Sequence, residues 1–339
     1  MMEYQDLSNG LMNIMADKVL VTGATGFIGS HLMELLVDNG FNVVGFDRYN
    51  SDNNWGWLEN YKSKKKFNII LGDIRDYDSV VKSMKGCKTV FHLAALIGIP
   101  YSYISPLAYI RTNIEGTYNI LEAAKNNRLD QIIITSTSET YGTAQYTPID
   151  ENHPLVGQSP YSASKIAADQ LAISYYKSFD LPVKIARPFN TYGPRQSSRA
   201  IIPTIISQIL KGTSKLKVGS LSPTRDLTFV KDTVSGFLNI YNSDNLFGEV
   251  TNIGMNNEIS IKDLINKIAN LMEETVNIIQ EDDRVRPAKS EVNQLLCENI
   301  KLITQTKWKP NYNLESGLIE TIDWIRNNKS YFLSDDYMV

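Results

Sequence analysis

The chain is poor in the residues that build metal centres and disulfide frameworks, with 2 cysteines and 3 histidines among 339 residues. Cys87 and Cys297 lie far apart and neither sits in a CxxC or Cys/His spacing, which excludes a disulfide scaffold and a thiolate metal site. His31, His92 and His153 are too few and too scattered for a histidine centre, so no metal is expected. Positive charge is not in excess either. With 34 Lys plus Arg against 37 Asp plus Glu, the formal charge is −3, which offers no basic field for nucleic acid or an anionic membrane. Long apolar runs are missing as well: the most apolar stretch, Val90–Pro100, is broken by His92 and is too short to span a bilayer. Glu3 and Asp6 precede any basic residue, and no cleavable apolar segment follows, so a signal peptide is not expected. A soluble cytoplasmic protein is the expectation.

Short apolar runs alternate with longer helical stretches. Strands are expected at Val19–Val21, Asn42–Phe46, Asn68–Leu71, Thr89–Leu93, Gln131–Thr135 and Val183–Ala186. Helices are expected between them at Gly29–Asn39, Asp76–Lys85, Pro106–Asn126 and Tyr161–Phe179. Strands that are apolar throughout belong to a parallel sheet covered on both faces, so the fold class is α/β with a doubly wound Rossmann-type sheet. Beyond about residue 190 prolines punctuate shorter elements, with helices at Ile201–Lys211, Ile261–Glu273 and Leu314–Asn327. Residues 1–14 lack periodicity and read as a disordered leader, 15–190 as the cofactor-binding domain, and 191–339 as mainly a smaller substrate lobe whose elements can cross back onto the first sheet. The Lys62–Lys66 cluster reads as a solvated loop face.

The first strand runs into Gly23-Ala24-Thr25-Gly26-Phe27-Ile28-Gly29 and then a helix. Glycines spaced three apart allow a sharp turn, close approach of a pyrophosphate, and tight packing of helix on strand. The helix N-terminus offers its free N–H groups to the phosphates. Thr25, Phe27 and Ile28 share that loop and join the cofactor-binding set. Asp47 lies 18 residues after Gly29 at the end of the second strand. An acid there accepts hydrogen bonds from ribose hydroxyls and repels a 2′-phosphate, which favours NAD over NADP. Arg48 beside it is the one feature that would suit the phosphate.

Tyr161 and Lys165 open a helix after the fifth strand, and their i, i+4 spacing puts phenol and ammonium on one face. A nearby ammonium and a cationic nicotinamide would both favour the phenolate, so Tyr161 is the expected base. Upstream, the fifth strand ends in Ser136-Thr137-Ser138-Glu139-Thr140-Tyr141-Gly142, at the carboxyl end where such sheets hold their active sites. Thr137 is placed to hydrogen-bond the hydroxyl being oxidised. Glu139 is superfluous for simple hydride transfer, but is needed where a proton leaves a carbon beside a new ketone.

The GxxGxxG loop followed by YxxxK resembles the short-chain dehydrogenase/reductase superfamily, over about residues 17–326. That resemblance implies that Asp73 and Ile74 hold the adenine, and that Leu93, Ala94 and Ala95 line the ribose and nicotinamide side. The STSETYG run resembles the extended, sugar-nucleotide 4,6-dehydratase branch. Ser138 is similar to the residue found there in GDP-mannose dehydratases and UDP-glucuronate decarboxylases, and leaves open whether Ser138 or Glu139 protonates the departing oxygen. The runs GQSPYSASKIAAD, ARPFNTYGPRQSSRAIIP, SPTRDLTFVKDT and RPAKSEV resemble the dehydratases of bacterial legionaminic-acid biosynthesis.

The resemblance implies a UDP- or GDP-N-acetylglucosamine substrate, converted to its 4-keto-6-deoxy form. It also implies that Asn190, Arg225 and Arg286 contact the diphosphate or ribose, and that Val218 borders the base. It further implies a homodimer, formed by helices 106–126 and 161–179 through a four-helix bundle with Ala108, Ile114, Tyr118, Ala172 and Tyr176 on its face. A 4-epimerase is the alternative, then a UDP-glucuronate decarboxylase.

Overall fold

The computed structural model describes residues 17–332 apart from 53, 60, 62–65, 214 and 282–283, so the expected leader and most of the lysine cluster fall outside the described residues. The chain runs β1 (Lys18–Thr22), α1 (Phe27–Asp38), β2 (Asn42–Arg48), β3 (Phe67–Gly72), α2 (Tyr77–Ser83) and β4 (Thr89–His92). It continues through α3 (Ile99–Ile104), α4 (Pro106–Tyr109), α5 (Gly116–Asn127), β5 (Gln131–Thr135), α6 (Pro160–Phe179) and β6 (Val183–Pro188). Then follow β7 (Asn190–Tyr192), α7 (Ile201–Leu210), β8 (Lys215–Val218), β9 (Thr224–Phe229), α8 (Val230–Tyr241) and β10 (Val250–Ile253). The last elements are β11 (Glu258–Ser260), α9 (Ile261–Leu271), β12 (Asn277–Gln280), β13 (Gln294–Leu295), α10 (Ile300–Thr306) and α11 (Leu314–Asn327).

Seven strands form one parallel sheet in the order β10-β6-β5-β4-β1-β2-β3. The order reverses between β1 and β4, which opens a crevice beyond the carboxyl ends of those strands. Both faces are covered. Val19 and Val21 face Leu32, Met33 and Leu36 of α1, while Leu20 faces Val80, Ile120 and Leu121 on the opposite side. Full burial of such a side chain contributes about 1.5–3 kcal/mol, which is why these strands do not alternate with polar residues.

The second half of the chain divides between the two lobes. β10 pairs with β6 at the sheet edge, and Phe237 and Ile240 of α8 join the core around α1. The remainder forms a small sheet in which β7, β11 and β13 pair with β9, and a separate β8–β12 pair. Ile205, Ile206, Leu264, Ile268, Leu318 and Ile322 from α7, α9 and α11 close a core of their own around it. No helix among the described residues is long and apolar enough to cross a membrane.

The helix expected over Pro106–Asn126 is present without a break but is not α-helical throughout. Between α4 and α5 the chain makes a π-helical stretch, Ile110–Glu115. The wider turn accommodates Asn113, whose side chain accepts from Leu96 N and donates to Leu96 O and Ser164 Oγ, each at 2.9 Å. Apolar periodicity does not register one extra residue in a turn.

Polar groups buried in the sheet are paired into networks. Arg187 on β6 donates through Nη2 to Asp169 Oδ2 on α6 (2.8 Å) and through Nε to Ser136 Oγ (3.2 Å), with its guanidinium over the Tyr141 ring. On the other side of β5, the Thr22 hydroxyl oxygen accepts from Leu93 N and Ala94 N, both at 3.1 Å. Its proton is therefore left for His92 Nδ1 at 2.8 Å, which fixes the ring as the Nε2–H tautomer donating to Thr117 Oγ1 at 3.2 Å. Thr117 passes the chain on to Asn113 O at 2.6 Å.

Two expectations follow. Removing one partner of a buried pair strands the other charge, so Arg187→Met should lower the urea unfolding free energy by about 3–5 kcal/mol, and adding Asp169→Leu should restore a large part of it. Burial, reinforced by the Lys165 charge, lowers His92 to about 3, and burial with Arg195 nearby does the same for His31. The unfolded chain protonates both near pH 6.5 while the fold refuses the proton, so stability should fall as pH drops from about 6.5 towards 3. A urea titration across that window should show a shallower pH slope for His92→Gln.

Candidate active site

Gly23 sits at φ +69° and donates its N–H to Phe46 O on β2, which turns the chain out of β1. A Cβ on Gly29 would stand 2.0 Å from Gly23 O, so only glycine lets α1 begin this close to the strand. Helix α1 starts at the exposed Gly26 with no side-chain cap, and its first backbone hydrogen bond is Ser30 N to Gly26 O. The amides of Phe27, Ile28 and Gly29 therefore open onto the crevice mouth, an arrangement that fits a dinucleotide pyrophosphate. Asp47 is the half-buried penultimate residue of β2. Its Oδ2 accepts from Thr25 N and Thr25 Oγ1 (2.6 Å each) and its Oδ1 from Arg48 N (2.7 Å), so this acid ties down the glycine loop. Arg48 itself is exposed.

The remaining cofactor candidates flank that mouth. Asp73 is paired with Arg75 and held below the usual carboxylate range chiefly by that hydrogen bond, while Ile74 is buried against Gly116. Leu93, Ala94 and Ala95 are half-buried, and the first two are held by Thr22. The spacing of motifs did not reveal Thr22, His92, Thr117 or Asn113. A buried histidine and the kinked helix are the structural features that connect the alanine turn to Ser164, and so to the YSASK helix.

Helix α6 is started by a capping box of Ser159 and Ser162, which fixes the direction in which Tyr161 and Lys165 leave its first turns. Tyr161 is 7% exposed and packs with Ile99, Tyr109 and Leu96. Burial pushes its phenol well up, a hydrogen bond with Thr137 opposes that, and the neighbouring Glu139 charge adds to it. Lys165 Nζ donates to Thr135 O at 2.5 Å, and burial lowers its own pKa against the pull of Asp169. Thr137 Oγ1 accepts from Glu139 N at 3.3 Å, starting a short 3-10 turn over Ser138–Tyr141 that buries Ser138 and Glu139. Thr137, Glu139 and Tyr161 are thus brought together at the end of β5.

Arg225 on β9 closes the other side. It is 8% exposed, and burial lowers its pKa while Glu139 and Glu291 oppose that and Arg286 adds to it. Arg225 and Arg286 converge on Glu291 Oε1 at 3.3 and 3.6 Å. The Asn190 side-chain oxygen is buried without a partner among the described residues, an acceptor held in reserve beside β9. Val218 is 1% exposed within the second lobe's core, with Lys217 outside it paired to Glu281.

The family described as GDP-mannose 4,6 dehydratase matches residues 20–321. The human dTDP-D-glucose 4,6-dehydratase is 30% identical over 94% of this chain and 93% of its own length. A solved dTDP-glucose 4,6-dehydratase from Streptomyces venezuelae, with NAD and TYD bound, is 26% identical at a TM-score of 0.84, covering 93% of this chain and 98% of that one. A UDP-N-acetylglucosamine 4-epimerase from Methanobrevibacter ruminantium, in complex with UDP-N-acetylmuramic acid, is 31% identical at 0.83, covering 93% and 100%. With its glycine loop, its Tyr161/Lys165 helix and this match along nearly all its length, the chain belongs to the GDP-mannose 4,6-dehydratase family, the extended short-chain dehydrogenases/reductases that act as sugar-nucleotide dehydratases and epimerases.

Proposed function

We propose that the protein is an NAD-dependent sugar-nucleotide 4,6-dehydratase. The observation that carries this reading is Glu139, buried at the end of β5 and close enough to Tyr161 and Arg225 to shift both. A 4-epimerase can use Tyr161, Lys165 and NAD alone. A carboxylate beside the reacting sugar suits a proton that must leave carbon.

Gly23, Gly26, Gly29, Asp47 and the 93–95 turn would hold NAD, which would supply a reversible hydride acceptor and a ring charge favouring the Tyr161 phenolate. Tyr161 takes the C4 hydroxyl proton, with Thr137 holding that hydroxyl. The C4 ketone acidifies C5–H, and Glu139 takes that proton. Glu139 or Ser138 then protonates the C6 oxygen, which departs as water. A proton re-enters at C5, and the net change is loss of one water, giving a 4-keto-6-deoxy sugar. Asn190, Arg225 and Arg286 hold the diphosphate, since guanidinium forks match phosphate oxygens and stay charged.

The substrate in this reading is UDP- or GDP-N-acetylglucosamine, supported by the resemblance to legionaminic-acid dehydratases, and the enzyme works in the cytoplasm, consistent with its two free cysteines. It acts as a homodimer. Leu107, Ile110 and Tyr118 with Tyr176 and Phe179 expose an apolar face along α4–α6, whereas Ala172, expected on that face, is buried against the sheet.

Purified protein incubated without added cofactor should convert one nucleotide sugar to a product lighter by one water in the mass spectrum. Glu139→Gln should cut that turnover by at least about a hundredfold while NAD stays bound. An isomer of unchanged mass would instead indicate an epimerase and leave Glu139 a structural acid. Ile110→Asp combined with Tyr176→Asp should sediment as a folded monomer, while a variant that still sediments as a dimer would remove the α4–α6 interface.

A further inference from the structure

Two guanidiniums that face one another need a counter-charge, and here one carboxylate oxygen serves both the buried Arg225 and the half-buried Arg286. Arg225 Nη2 and Arg286 Nη1 lie 3.3 and 3.6 Å from Glu291 Oε1. The fit is incomplete, because Arg286 Nη1 is buried yet makes no hydrogen bond among the described residues. Glu291 thus neutralises that nitrogen as an ion pair without hydrogen-bonding it.

The backbone carrying Glu291 is fixed independently of its side chain. Ser290 N and Glu291 N donate to Pro287 O at 2.7 and 3.1 Å, and Ser290 Oγ donates to Gln158 O at 2.6 Å. Thr143 Oγ1 and Gln158 Nε2 donate to Glu291 O at 3.3 and 3.4 Å. Those contacts come from the loops on the Glu139 side of the cleft and do not involve the carboxylate. The side chain can therefore leave the arginines while the turn that carries it stays in place.

We propose that Glu291 is a built-in stand-in for the substrate diphosphate, a carboxylate that keeps Arg225 and Arg286 converged in the free enzyme and is displaced when a nucleoside diphosphate arrives. The proposal rests on the reading of this cleft as a nucleotide-sugar site. A phosphate chain brings more charge and more acceptor oxygens than one carboxylate, including a hydrogen-bond acceptor for Arg286 Nη1, which Glu291 holds only as an ion pair. Displacement sets a threshold: a ligand that cannot engage both arginines does not compensate for the lost ion pairs. The positions are held ready, and selectivity for a diphosphate over weaker anions is obtained at the expense of affinity.

The test is calorimetric binding of UDP, GDP and dTDP to the NAD-loaded full chain, comparing wild type with Glu291→Gln and Glu291→Asp. Glutamine keeps the shape and removes the competing charge, so the best-bound diphosphate should bind about tenfold tighter. Aspartate keeps the charge but withdraws it, and should give a smaller tightening. Unchanged or weaker binding in folded variants would overturn the proposal and make Glu291 a strut that positions the arginines. If the wild type binds none of the three, the nucleotide-sugar reading itself fails.

Discussion

A Cβ on Gly29 would stand 2.0 Å from Gly23 O, and this one close approach governs where everything else in the cleft lies. Because no side chain intervenes, α1 begins directly beyond β1 with its amides uncapped. The same turn brings Gly23 against the backbone of Leu93 and Ala94, where β4 ends. The crevice between β1 and β4 is therefore narrow and walled by backbone, which suits a flat dinucleotide. Asp47 reinforces the turn from β2 by accepting two hydrogen bonds from Thr25.

From that crevice two buried polar systems reach the reacting side chains. One passes from Thr22 through His92 and Thr117 to Asn113, whose amide holds Leu96 and Ser164. The other joins Ser136, Asp169 and Arg187 beneath the Thr137–Tyr141 turn. Each fixes a loop at the carboxyl end of the sheet to the helix bearing Tyr161 and Lys165. Buried networks of this kind restrict the site to few arrangements, and a missing member would leave a further buried group without its partner. Glu139 stands on the turn supported by the second system.

The substrate side is electrostatically unfinished by comparison. Arg225 and Arg286 share one carboxylate oxygen, and among the described residues neither Arg286 Nη1 nor the Asn190 side-chain oxygen has a hydrogen-bond partner. A protein core does not leave such groups without partners at no cost.

Local patterns in the chain determined the strands of the first sheet, the glycine turn, the acid ending β2 and the YxxxK helix, because each depends on neighbours in sequence. Runs such as Ile132–Ile134 are apolar on both faces, and GxxGxxG encodes its own turn. Tertiary structure alone decided that β10 returns to the edge of β6, since Val250–Ile253 is too short and mixed to reveal its partner. It also decided the π-helical turn at Asn113, the tautomer of His92, the burial of Ala172 and Val218, and the meeting of Arg225, Arg286 and Glu291. Each of these depends on which surfaces meet across the fold, and hydrophobic periodicity carries no record of a partner fifty or more residues away.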